Sequence, residues 1–145
     1  MKNKITFASL IALMAIMFCS CSDVNVAPGE VPGQIQTFVQ QNFPGQNITF
    51  AQKDWSFFAY EYDVTLADGT HIEFNRNNEW TKIESVASGV PVALLPAPIA
   101  TYLNTNNPGV AIKKIDIDNG EIEVELANDL ELKFNEQGAL MEMDD

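Results

Sequence analysis

Apolar residues fall at helical spacing in two places and alternate with polar residues through most of the chain after residue 45. Val31, Ile35, Phe38, Val39 and Phe43 lie three and four residues apart, which predicts a helix over 32–42 with one apolar face. Pro32 suits its first turn, where a missing N–H costs nothing, and Pro44-Gly45 ends it. Strands are predicted at Ile48–Lys53 and Phe57–Leu66, the latter with Phe58, Tyr60, Tyr62, Val64 and Leu66 on one face and Glu61, Asp63 and Thr65 on the other. By this parity Phe58 faces the core, Phe57 falls on the polar face and Trp55 sits at its margin. Ala67-Asp68-Gly69 reads as a three-residue hairpin loop with Gly69 left-handed. That loop pairs Leu66 with Thr70, Val64 with Ile72 and Tyr62 with Phe74; a one-residue slip would set apolar against polar. A fourth strand is expected at Glu79–Ser85, entered through Arg76-Asn77-Asn78.

The same pattern then returns. Leu95-Pro96, Ile99, Tyr102 and Pro108-Gly109 stand 64 residues after Val31-Pro32, Ile35, Phe38 and Pro44-Gly45. Glu121–Ala127 and Phe134-Asn135 stand 60 residues after Glu61–Ala67 and Phe74-Asn75. The four-residue difference is extra chain in the first half, around Trp55-Ser56-Phe57-Phe58. A helix over 96–106 and strands at Ile112–Asp118, Glu121–Ala127, Leu130–Asn135 and Ala139–Met143 follow. Asn119-Gly120 is a strong two-residue hairpin signal, and it sets Asp118 opposite Glu121 and Asp116 opposite Glu123.

The fold class expected is therefore α+β: two tandem repeats, each one helix packed on a four-stranded antiparallel meander, with the two sheets joined. Joining edge to edge reduces the number of open strand edges. Residues 85–94 link the copies. Val90, Val92, Leu94 and Leu95 are too apolar for a free linker, so this segment is expected to pack.

The first residues belong to no fold. Lys2 and Lys4 precede the apolar run Ile5–Phe18, which is too short for an ordinary membrane span and reads as a secretory signal. Both cysteines, Cys19 and Cys21, lie at its end, so the remaining domain has no disulfide framework. The context of Cys21, preceded by small Ser20, resembles a lipoprotein cleavage site, with ordinary cleavage near Ser22 as the alternative. The organisation expected is a signal peptide at 1–20, a lipidated tether at 21–30, and repeats at 31–86 and 87–145. The protein is placed in the cell envelope, lipid-anchored to a membrane on its periplasmic or outer side, or soluble in the periplasm if it is not lipidated.

All 20 acidic residues follow the signal, against six basic ones, a charge of about −14. Such a surface repels nucleic acid and anionic lipid and favours basic partners or cations.

The "V/L-P-x-x-I-x-x-F/Y" helix, the "N-x-P-G" stop and the "Y/I-x-V-x-L" strand with its "I/L-x-F" return, seen at Tyr62–Phe74 and Ile122–Phe134, resemble the PepSY-like family. That family is also described as similar to the beta-lactamase inhibitory protein. The resemblance covers Val31–Glu84 and Leu95–Asp144. It implies a secreted Gram-negative domain with one long sheet, and a role in binding or inhibiting another protein such as a secreted hydrolase. It carries no catalytic residues and no contact residues onto this sequence.

Enzymatic chemistry finds little footing. His71 is the one histidine, on a polar strand face next to Glu73; no serine stands in a nucleophile-elbow turn and no Gly-rich phosphate loop is present. The expected function is a non-enzymatic envelope protein-binding module without a cofactor. The binding surface is assigned to the polar sheet face: Trp55, Phe57, Glu61, Asp63, Asp116, Asp118, Glu121 and Glu123, facing a partner with a basic patch. The alternative is cation sensing, calcium above all, because oxygen ligands are its chemistry. Against it, Asp116-Ile117-Asp118-Asn119-Gly120 places glycine one residue too early for an EF-hand loop.

Overall fold

The structure, a computed structural model, describes residues 23–56, 58–85 and 87–144. Its frame is a mixed α/β arrangement: one nine-stranded antiparallel sheet and, among the described residues, two α-helices. The elements in chain order are β1 (Val24–Asn25), α1 (Gly33–Asn42), β2 (Ile48–Ser56), β3 (Ala59–Leu66), β4 (His71–Phe74), β5 (Trp80–Glu84), α2 (Ala97–Asn106), β6 (Ile112–Asp118), β7 (Glu121–Leu126), β8 (Glu131–Asn135) and β9 (Leu140–Asp144). Strand order in the sheet equals strand order in the chain. The order helix–four strands thus occurs twice, and β5 pairs with β6 to make one sheet, Ile83 opposite Ile115 at the seam.

Both helices begin one residue after their proline, which takes the N-cap position. Their apolar stripes lie on one face of the sheet. Ile35, Val39, Ile99 and Leu103 are buried against Val64, Ile72, Phe74, Ile83, Ile115, Val124, Leu132 and Phe134, as the alternation predicts. Tyr102 packs edge-on to Phe134 with centroids 5.5 Å apart, and Phe38 does the same to Phe74 at 5.6 Å. The hairpin registers also hold: Val64 opposite Ile72, Tyr62 opposite Phe74, Asp118 opposite Glu121 and Asp116 opposite Glu123. Gly69 and the Asn119-Gly120 pair take the positive φ their turns require.

Three local expectations are corrected. First, part of the tether is folded: Val24–Asn25 adds an edge strand to β2, and Pro28–Glu30 forms a 3-10 turn leading to buried Val31. The period-two run Asp23-Val24-Asn25-Val26 is the signal, and Val26 N–H donates to the Ala51 carbonyl at 2.9 Å. Second, β2 runs on to Ser56 and β3 begins at Ala59. Phe58 therefore stands at the hairpin turn with φ +69° and is 91% exposed, not in the core. Third, Trp55 pairs with Tyr60, two positions before Tyr62 and four before Val64, so it lies on the helix-side face and not beside the acidic residues.

The link packs in part. Val90 and Leu95 are buried, and Val90 N–H donates to the Ile112 carbonyl at 2.8 Å, while Val92 stays exposed. Ser85 is buried because its hydroxyl meets that of Thr70 at 2.8 Å.

Candidate functional site

The helices cover one sheet face, and the other is open. One cross-strand row runs over it through all nine strands: Asn25, Gln52, Asp63, Glu73, Lys82, Asp116, Glu123, Lys133 and Glu142. Each lysine follows a pair of acids. Lys82 Nζ lies 3.0 Å from Glu73 Oε1, and Lys133 Nζ lies 4.0 Å from Glu123 and 3.7 Å from Glu142. Lys114, one row below, reaches up to Glu123 at 2.9 Å and Asp116 at 3.9 Å. Glu73 and Glu123 hold the ammonium groups of Lys82 and Lys114 above the usual lysine range by these hydrogen bonds.

The next row toward the hairpin tips has no such compensation. Asp54 stands opposite Glu61, and Asp118 opposite Glu121. Among the described residues the ion pairs reach none of these four carboxylates. Like charges directly opposite are unfavourable, and this row adds uncompensated charge to a middle row whose acids already outnumber its lysines.

Two shallow recesses result. In the second half, Asp116, Asp118, Glu121, Glu123 and Lys133 line one of about 330 Å³. In the first half, Asp23, Asp54, Glu61, Asp63 and Glu73 line one of about 240 Å³, with Asn75 and Thr81 at its side. Asp23 was not anticipated; the edge strand brings it there. Here Asp54 Oδ1 is buried and accepts no hydrogen bond from the described residues. Asp63, His71 and Glu73 bring one ligand atom each within 4.8 Å of one another. Burial, and then the charge of Glu73, push the Asp63 carboxyl above its ordinary value, while His71 and Lys82 pull the other way.

Of the residues assigned to binding from sequence, Glu61, Asp63, Asp116, Asp118, Glu121 and Glu123 thus share one face. Trp55 does not join them. Its ring packs edge-on against Tyr60 at 4.9 Å on the opposite face, and Lys53 Nζ lies 4.7 Å from the Tyr60 ring centre. Phe57, Cys21 and the signal segment 1–20 lie outside the described residues. Among the described residues no helix is long and apolar enough to cross a membrane.

The family model described as "Putative beta-lactamase-inhibitor-like, PepSY-like" matches residues 60–142, more than half of the chain. Three solved structures from Bacteroides share the fold. A "putative periplasmic protein from DUF2874 family" of Bacteroides vulgatus is 32% identical with a TM-score of 0.79, covering 87% of this chain and 99% of its own. A "putative calcium-regulated periplasmic protein" of Bacteroides thetaiotaomicron is 31% identical with a TM-score of 0.78, covering 85% and 97%. A further "putative periplasmic protein of unknown function" from Bacteroides vulgatus is 28% identical with a TM-score of 0.77, covering 86% and 100%. No curated protein matches the chain.

Proposed function

The chain belongs to the PepSY-like, beta-lactamase-inhibitor-like family, and from that premise we propose that it is a non-enzymatic protein-binding module of the bacterial cell envelope, made of two tandem copies of a helix and four strands. The signal-like N-terminus and the relatives named as periplasmic support the location, and Cys21 is the residue that would carry a lipid anchor. The observation that carries the reading is the open sheet face. Lys82, Lys114 and Lys133 offset part of the charge of its middle row, while among the described residues no ion pair reaches Asp54, Glu61, Asp118 or Glu121. A sheet face that presents carboxylates in a line recruits a basic surface, because charge complementarity speeds encounter and rejects like-charged partners. The partner is another envelope or secreted protein with a basic patch, and the family description makes a secreted hydrolase the first class to assay.

The test is affinity capture from envelope fractions, followed by binding of the captured protein to an Asp118→Asn, Glu121→Gln double variant. Association that slows with added salt, and slows further in the variant, supports the reading. Equal binding of the variant and the wild type at all salt concentrations overturns it.

A second reading has its own observation. The first-half recess, lined by Asp54, Asp63 and Glu73, adjoins the Asp63–His71–Glu73 group, its Asp54 Oδ1 accepts no hydrogen bond from the described residues, and one relative is named as calcium-regulated. Carboxylate oxygens in this number suit a hard divalent cation. Here the acidic face senses calcium, and thermal stabilisation by calcium well beyond that by magnesium is the result that favours it.

A further inference from the structure

The hairpin between β2 and β3 is longer than its counterpart between β6 and β7. Asp54 opposite Glu61 corresponds to Asp118 opposite Glu121, after which the second hairpin turns at once through Asn119-Gly120. The first adds two further residue pairs, Trp55 with Tyr60 and Ser56 with Ala59, before it turns. At about 3.4 Å per residue the addition projects about 7 Å farther. It is apolar where the other is polar. Trp55 is 49% exposed, Tyr60 43%, and Phe58 at the apex is almost fully exposed. A bulky side chain at positive φ is an unfavourable choice of turn residue, and strain of this kind clusters where a side chain has a use.

The direction of β1 gives the patch its setting. Val24 pairs with Lys53, and the strands are antiparallel, so the chain leading back from Val24 heads along β2 toward Trp55. Cys21 stands three residues before Val24 in the sequence. Val24, itself half-exposed, lies on the helix-side face with Lys53 and Trp55.

We propose that the β2–β3 hairpin tip is a membrane-interface anchor, inserting Trp55, Phe58 and Tyr60 into the headgroup–acyl boundary of the bilayer beside the anchored N-terminus. The inference rests on the Cys21 anchor proposed above for its orientation. Tryptophan and tyrosine prefer that boundary, where an apolar ring meets a polar edge, and Lys53 lies where a lysine reaches up to headgroups. An insertion of about 7 Å matches the 5–10 Å to which interfacial elements bury. A protein partner fits less well, because binding hot spots need a surrounding rim that excludes water, and a hairpin two residue pairs long has none. Asp23, Asp54 and Glu61 flank the tip on the other face, so the surface suited to it is zwitterionic, not anionic.

The experiment uses the full mature chain in two forms, lipidated and Cys21→Ser, each with Trp80→Phe so that Trp55 is the sole tryptophan. Vesicles of phosphatidylcholine and phosphatidylethanolamine, plain or brominated, are the probe. In the lipidated chain Trp55 emission should shift to the blue, resist acrylamide and be quenched by brominated lipid. In the Cys21→Ser chain, Phe58→Asn should weaken vesicle partitioning by about tenfold, the effect of withdrawing one large apolar side chain from burial. Asparagine tolerates positive φ, so the turn persists and circular dichroism should not change. A lipidated, vesicle-bound chain whose Trp55 stays fully open to acrylamide sinks the inference and leaves the anchor standing. Vesicle insertion of Trp55 in a chain that cells do not lipidate sustains the inference and removes the anchor. A Trp55 shift seen only on adding a protein partner also overturns it.

Discussion

Lys114 Nζ lies 2.9 Å from Glu123 Oε1, although the strand register sets Lys114 opposite Glu125. The side chain crosses diagonally to stand between Glu123 and its facing acid Asp116. Lys114→Met should remove that compensation and lower stability by about 1 kcal/mol or less, the usual size of a partly exposed pair. Because Glu123 raises the ammonium's folded value, the stabilisation is full below the ordinary 10.5 and is lost as pH rises through the raised value. Urea unfolding at neutral pH and again well above pH 10.5 checks both parts: the difference between variant and wild type should shrink in the alkaline series.

Asp118 and Glu121 give the opposite case. They face one another directly, and the nearest hydrogen bond to Asp118 comes from the Asn119 side chain at 2.9 Å. Asp118→Asn should stabilise the fold by some tenths of a kcal/mol, since like charges across a ladder are unfavourable. The gain should fade at high salt, where the Debye length falls to about 3 Å at 1 M. A melting temperature that drops at low salt would count against the charge map of this face.

Asp63 links the acidic recess to pH. Its folded value is raised by burial and by Glu73, with Asp23 adding to them and His71 and Lys82 opposing. A carboxyl raised in this way favours folding while protonated, below its ordinary 3.8, and that contribution is lost as pH rises through the folded value. Asp63→Asn should therefore melt higher than wild type at neutral pH and melt with it near pH 3, where both states are protonated. Calcium supplies the second arm. If the recess holds a cation, calcium raises the wild-type melting temperature and leaves Asp63→Asn unmoved.

The core was legible because two periods ran uninterrupted: helical spacing at Ile35, Val39, Ile99 and Leu103, and strict alternation at Val64–Phe74 and Val124–Phe134. Turn chemistry then fixed the registers at Gly69 and Asn119-Gly120. The acidic face followed from parity alone. What parity could not give was the hairpin tip, where no glycine or asparagine marks the turn between β2 and β3. Alternation carried through the tip put Phe58 in the core and Trp55 beside the acids. The edge strand at Val24–Asn25 escaped because its period-two run, Asp23 to Val26, is only four residues long, and its partner Lys53 is distant in sequence. The Asp63–Glu73 pair, with His71 on the same face, was implicit in the hairpin register, whereas the burial of the Asp54 oxygen depends on side-chain packing that no linear pattern encodes.

Two phenylalanines with opposite environments test the face assignment. Phe134 is fully buried under α2, with Tyr102 edge-on to its ring. Phe134→Ala should cost about 3–5 kcal/mol, from lost transfer free energy and the cavity left behind. That is a large share of the stability of a domain this size, so the variant should unfold at much lower urea. Phe58 makes the opposite forecast. Its side chain is exposed and its backbone sits at φ +69°, a conformation that costs a β-carbon-bearing residue about 1–2 kcal/mol and asparagine less. Phe58→Asn should leave the urea midpoint unchanged or raise it. The slope of the transition should match wild type in the Phe58 variant, because no core surface is altered. A Phe134→Ala chain that melts like wild type would mean that the helices cover the other face of the sheet, and a Phe58→Asn chain that unfolds early would mean that Phe58 packs into the fold instead of standing exposed at the turn.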